Sequence, residues 1–140
     1  MRFVLDTNIL ISAFRSRNGA SNALLREVLA GNSAWLCSIP LFLEYEEVLT
    51  RAEFVLETGR SRADYRQFLT DVAGSIEPVD LAFLWRPQLK DPKDEMVLET
   101  AVNGQADAIV TFNTRDFVPA IRYFGLQLLS PRQTLERIRS

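Results

Sequence analysis

A chain of 140 residues, 47% hydrophobic and 24% charged, has the length and composition of one folded domain spanning residues 1–140, with no second domain expected. A formal net charge of -2 argues against a protein that coats nucleic acid by bulk charge, while leaving the local placement of its basic side chains open. With no histidine and one cysteine, Cys37, the sequence excludes an intrachain disulfide, a Ser-His-Asp triad, a histidine general base and a His- or Cys-built metal centre.

Any hydrolytic chemistry must therefore rest on carboxylates, with a hard metal ion. No apolar stretch reaches the length of a membrane span, and the apolar start lacks the cleavage region of a signal peptide, so a cytoplasmic location is expected. Fourteen of the 16 basic residues are arginine. Guanidinium forks suit phosphate oxygens, although arginine is also an ordinary solubilising residue.

In chain order, Arg2 to Leu5 reads as a buried strand and Asn8 to Phe14 as a short helix. After an Asn18-Gly19 turn, Leu24, Leu25, Val28 and Leu29 recur at helical spacing, with Gly31 as a C-terminal cap. Ala34 to Ser38 is a second strand, and Pro40 opens a helix through Leu41 to Leu49. The middle is helical: Ser61 caps a segment whose Tyr65, Phe68, Leu69 and Val72 share one face. Glu77 to Asp80 reads as a short strand, Phe83 to Leu89 is ambiguous, and Asp91-Pro92 starts a helix running to Asn103-Gly104. Asp107 to Thr111 is a third clear strand ending in FNTRDF, Leu126 to Leu129 a fourth, and SPRQTLERI a closing helix. Short apolar strands alternating with helices predict an α/β fold with a parallel sheet covered on both faces, whose ligands collect beyond the carboxyl ends of the strands.

The acids fall where such a sheet would place them. Asp6 follows the first strand, and Asp116 lies beyond the end of the third. If these two strands are neighbours, both acids open onto one edge, although each alone is also a common turn residue. On the helix through Leu41 to Leu49, Leu41, Tyr45, Val48 and Leu49 define an apolar arc, and at ~100° per residue Glu44 falls about 60° from Leu41, at its margin. Glu46 and Glu47 fall on the opposite, solvated side. Asp91 is explained as a helix N-cap, and Asp94 and Glu95 suit a helix dipole, which leaves Asp94 free to face a cleft as well. Carboxylates brought together raise one another's pKa, and a bound Mg²⁺, which takes oxygen ligands and needs neither Cys nor His, relieves that repulsion.

The stretches FVLDTNILIS, IPLFLEYEEVLTR, DPKDEMVLETA and ADAIVTFNTRDF, in this order and spacing, resemble the PIN-domain family, particularly its small VapC-like ribonuclease toxins of prokaryotic toxin-antitoxin pairs. The resemblance spans nearly the whole chain. It implies a sheet of about five parallel strands flanked by helices, a Mg²⁺ or Mn²⁺ cofactor, and hydrolysis of RNA to 5′-phosphate and 3′-hydroxyl ends. It places Asp6, Glu44, Asp94 and Asp116 as the catalytic acids. Asp6, Asp94 and Asp116 would hold metal, and Glu44 would help hold it or orient the attacking water. Thr7, Asn8, Thr111 and Asn113 become polar supports, with turn and strand-end roles as the alternative reading. Asp91, one helical turn before Asp94, is a possible additional acid. The partners implied are an RNA substrate, a small cognate antitoxin and a second copy of the chain in a homodimer, with no membrane. Arg15, Arg17 and Arg115 lie near the motifs and are candidate RNA guides.

Two other readings remain at this stage. A haloacid-dehalogenase-like phosphatase also begins with Asp after a buried strand, but carries a second Asp two residues on, where this chain has Asn8. A non-catalytic module of the same fold, binding RNA or protein without cutting, would carry the same acids.

Overall fold

The computed structural model describes residues 1–82 and 89–140, with only the backbone described for Pro119, Ala120, Arg122 and Tyr123. The five strands are β1 (Arg2–Leu5), β2 (Ala34–Cys37), β3 (Ile76–Pro78), β4 (Ala108–Val110) and β5 (Gln127–Leu129). They form one sheet in the order β3-β2-β1-β4-β5, with every pairing parallel. Phe3, Val4 and Leu5 of β1 and Ala108, Ile109 and Val110 of β4 are all fully buried. Successive strand side chains point to opposite faces, so unbroken burial means that both faces are covered. At the β3 edge Pro78, which has no N–H to give a further strand, ends the ladder.

Among the described residues eight helices cover the sheet: α1 (Thr7–Arg15), α2 (Ala20–Leu29), α3 (Ile39–Leu49), α4 (Ala52–Thr58), α5 (Arg62–Ala73), α6 (Pro92–Asn103), α7 (Thr114–Phe124) and α8 (Pro131–Arg139). None is long and apolar enough to cross a membrane. Their starts follow local chemistry. Ser38 caps α3 through Leu41 N–H, with Pro40 in the first turn. Ser61 with Asp64, and Ser130 with Gln133, form reciprocal capping boxes on α5 and α8. Gly31, just past the end of α2, takes the left-handed φ of +89° that ends a helix without strain. Gly104 ends α6 for a different reason: a Cβ there would meet Val79 Cγ2 at 2.9 Å and Leu36 Cδ1 at 3.1 Å, so its bareness lets α6 lie close on the sheet.

The structure departs from the sequence reading in three places. The short strand expected at Glu77 to Asp80 runs from Ile76 to Pro78, in register with Trp35, Leu36 and Cys37 of β2. FNTRDF does not trail out of a strand; Thr114 begins α7, which Gly125 ends in the left-handed conformation. Helix α4, inside a stretch read only as broadly helical, is a separate seven-residue element whose Phe54 is buried against Tyr65. The ambiguous stretch from Phe83 lies outside the described residues, except for Leu89.

Candidate active site

Chain order reverses at β1. From β1 the sheet winds outward through β2 and β3, then restarts on the other side with β4 and β5. Connections leaving β1 and β4 therefore part in opposite directions, which opens a crevice beyond their carboxyl ends. Register pairs Leu5 with Val110, so Asp6 and Thr111 emerge level with each other at that crevice.

The sheet itself holds Asp6. Its N–H donates to Val110 O at 2.9 Å, extending the ladder by one residue. Thr111 in turn donates its N–H to Leu129 O at 3.0 Å and its hydroxyl proton to Asp6 Oδ2 at 2.7 Å. The same hydroxyl oxygen accepts from Asn113 N–H at 2.9 Å, which commits the proton to the carboxylate. Thr7 N–H adds a second donor to Asp6. Behind this end of β1, the fully buried Tyr45 donates its hydroxyl to Leu5 O at 2.5 Å and so pins the residue that precedes Asp6.

Two further acids arrive on helix starts. Asp91 caps α6 by accepting from Lys93 N–H at 2.9 Å, and Asp94 follows in the first turn, buried. Asp116 stands exposed in the first turn of α7, whose start is set by Asp116 N–H donating to Asn113 O at 3.0 Å. Helix N-termini carry partial positive charge, which favours acids there.

Electrostatics ties these side chains together. Asp6 is held above the usual carboxylate range chiefly by burial; the hydrogen bonds from Thr111 and Thr7 oppose this, and the charges of Asp116 and Asp91 reinforce it. The Asp94 carboxyl is pushed up to about 6, first by burial and then by repulsion from Asp6, Asp91, Asp116 and Glu95. Asp91 and Asp116, from two separate segments, thus act on both Asp6 and Asp94.

Glu44 stands apart from that set. It is buried on α3 as its helical position predicts, while Glu47 is exposed and Glu46 half-buried. Burial raises its carboxyl, and the dominant nearby cation is Lys93, whose Nζ lies 3.5 Å from Glu44 Oε1. The other charges acting on it are Glu47 and Arg51 rather than the aspartates.

Of the polar supports, Thr111 acts on Asp6 through its side chain, whereas Thr7 and Asn113 act through backbone N–H groups, Asn113 on the Thr111 hydroxyl from the N-cap position of α7, where its side chain makes no cap hydrogen bond. Asn8 leaves its side-chain Oδ1 buried with no hydrogen-bond partner, two residues along α1 from Asp6. Among the arginines, Arg15 is engaged by a two-point ion pair to Glu57, at 2.6 and 3.1 Å, whereas Arg17 and Arg115 are exposed. In the sequence Tyr45 is one member of the apolar arc and Lys93 has no assigned role. Lys93 carried a signal, being a cation in a helix first turn, where acids are favoured. Glu95 and Glu99 are also deeply buried on α6, and Glu95 Oε1 accepts from Leu89 N–H at 2.5 Å.

A model of the PIN-domain family matches residues 2–115. The chain belongs to that family. Among solved structures it is similar to VapBC2 of Rickettsia felis, which is bound to a DNA fragment from its promoter, at 18% identity and TM-score 0.65, covering 93% of this chain and 98% of that one. It is likewise similar to VapBC-1 of nontypeable Haemophilus influenzae, at 14% identity and TM-score 0.66, covering 94% and 99%. These likenesses bear out the α/β sheet architecture. No curated protein matches the chain.

The donor set of this PIN domain suits a hard divalent ion. Its crevice offers carboxylate oxygens, and Asn8 Oδ1 adds an unpartnered carbonyl oxygen near them in sequence. Cys37 is buried in β2 as a free thiol pushed up to about 12 by burial, so it offers no soft thiolate. Among the described residues no three acids stand together as a finished metal cage. Mg²⁺ does not require one, since it is commonly held by one or two carboxylates, with water and substrate phosphate completing its octahedron.

Proposed function

We propose that this PIN domain is a Mg²⁺- or Mn²⁺-dependent endoribonuclease and the toxin of a toxin-antitoxin pair. The observation that carries the reading is that Asp6 and Asp94 are both buried carboxylates, Asp6 fixed by the Thr111 hydroxyl at the end of β1, and that the charges of Asp91 and Asp116 raise both. Acids held at one another's expense are costly to the fold unless a cation or a proton compensates them. Asp6, Asp94 and Asp116 would hold the ion, with Asp91 adding charge from the helix cap. A divalent ion there supplies Lewis acidity toward a phosphoryl oxygen and makes water a stronger nucleophile.

The chain's own groups supply position and charge. Thr111 and Thr7 fix the Asp6 carboxylate, Asn113 sets Thr111, and Asn8 offers a further oxygen. Glu44, joined to the start of α6 by its ion pair with Lys93, would help orient the attacking water. Arg17 and Arg115, both exposed, are placed to meet RNA phosphates, whereas Arg15 would first have to leave Glu57. An antitoxin, a homodimeric state and a cytoplasmic location follow from the toxin reading.

The test is cleavage of a mixed RNA pool by purified protein with Mg²⁺, Mn²⁺ or EDTA, beside Asp6→Asn and Asp94→Asn variants whose folding is checked by circular dichroism. Cutting that requires metal and disappears in both folded variants is expected. RNA binding that is equally strong in EDTA, with no cleavage under any metal, would replace the nuclease with a non-catalytic RNA-binding module.

A further inference from the structure

Resting on that nuclease reading, we propose that the Lys93 ammonium is a tethered cation occupying the Glu44 side of the site, so that this chain holds a single divalent ion, on Asp6, Asp94 and Asp116. Glu44 is a carboxylate whose side chain is only 9% exposed, and Lys93 Nζ lies 3.5 Å from its Oε1. Arg51, the other cation acting on Glu44, is engaged elsewhere, by Glu47 Oε1 at 3.1 Å. Lys93 is thus the counter-charge of the buried acid.

Its place in the fold also needs explaining. Lys93 is the second residue of α6, directly before Asp94, where exposed N–H groups disfavour a cation. The backbone there is provided for without its side chain, since Lys93 N–H donates to the Asp91 cap. A carboxylate facing the ammonium is what offsets this unfavourable position, and Glu44 is that carboxylate. Its side chain reaches from α6 to Glu44 on α3 and is 53% exposed, so the arm has access from solvent.

The start of α6, where Lys93 and Asp94 are adjacent, consequently stands between two groups of different charge. On one side lie Asp6 and Asp94, both buried and both acted on by the charges of Asp91 and Asp116. On the other, Glu44 and Lys93 form a pair of zero net charge. A divalent ion gains most where negative charge is uncompensated, and reaching Glu44 would require breaking the pair first. Lys93 is a positioning residue in this scheme: it sets how many ions bind, and its charge substitutes for a second one.

The experiment counts Mn²⁺ bound per folded chain near neutral pH, by calorimetric titration and by the electron paramagnetic resonance signal of free Mn²⁺. Wild type is expected to bind one ion. Lys93→Met keeps the stem, removes the charge and is expected to bind a second ion, which the double variant Lys93→Met/Glu44→Gln loses while keeping the first. Two ions on wild type, or one on Lys93→Met, would overturn the role of Lys93 while leaving the metal-dependent reading standing. Absence of Mn²⁺ from every folded variant would overturn both.

Discussion

Replacing Asp94 by Asn should stabilise the ion-free protein while abolishing its metal response. The carboxyl sits at about 6 in the fold against 3.8 for the free side chain. Being raised, it binds its proton more tightly folded than unfolded, so the stability it contributes is lost as pH rises from about 4 through about 6. The ionised form is thereby disfavoured by at most about 3 kcal/mol. Solvent reaches part of the crevice and screens the repulsion, which brings the expected gain for Asp94→Asn down to about 1–2 kcal/mol at about pH 7.5. For a chain of this length that is a rise in Tm of about 3–8 °C. Thermal and urea unfolding in EDTA at about pH 7.5 and about pH 4 read it directly: the variant should lead at the higher pH and match wild type at the lower, where Asp94 is protonated in the fold. Added Mn²⁺ should raise the wild-type Tm and leave the variant's unmoved. An Asp94→Asn protein less stable than wild type in EDTA at the higher pH, or equally ahead at both, would refute a repulsive cluster at this crevice.

Thr111→Val removes the donor to Asp6 Oδ2 without removing bulk. Asp6 should titrate higher still, and Mn²⁺ affinity should fall several-fold with a steeper decline toward acid pH, measured by calorimetry across a pH series. Tyr45→Phe leaves the Leu5 carbonyl without its buried donor and should cost about 1–2 kcal/mol in urea unfolding, with the Mn²⁺ stoichiometry of the folded variant unchanged.

What the sequence could and could not convey follows from how far each interaction reaches along the chain. Strand β1, the caps Ser61 and Asp91 and the inward turn of Glu44 are local: apolar runs, N-cap chemistry and the 3.6-residue period announce them. The adjacency of β1 and β4 is not local, for Leu5 and Val110 are far apart in sequence and an alternative strand order would have scattered the acids. Only the sheet brings Thr111 to Asp6. Helix α7 is hidden in the sequence because FNTRDF has the composition of a turn and Pro119 reads as a breaker inside the segment, although Asn113 and Asp116 are ordinary helix-start residues. Tyr45 went unread because its ring obeys the apolar pattern while its hydroxyl serves a carbonyl of another element. Lys93 was visible as an anomaly, but its partner lies on a helix approached through tertiary packing alone.

The same construction explains why the repulsion persists instead of dissipating. Acids on mobile loops would swing apart and regain hydration. Here Asp6 is part of the ladder through its own N–H, with its carboxylate fixed by a hydroxyl that has only one proton to give. Asp94 and Asp116 are anchored in helix first turns, where the dipole itself favours negative charge. Moving the backbone of any of them means breaking sheet or helix hydrogen bonds, which leaves side-chain rotation and the uptake of protons or cations from solution to relieve the tension. At neutral pH protons are scarce, and a divalent ion is the more effective remedy. Metal affinity in this reading is therefore a consequence of rigidity as much as of carboxylate number. Loosening the Tyr45 and Thr111 supports together should weaken ion binding even with every carboxylate in place.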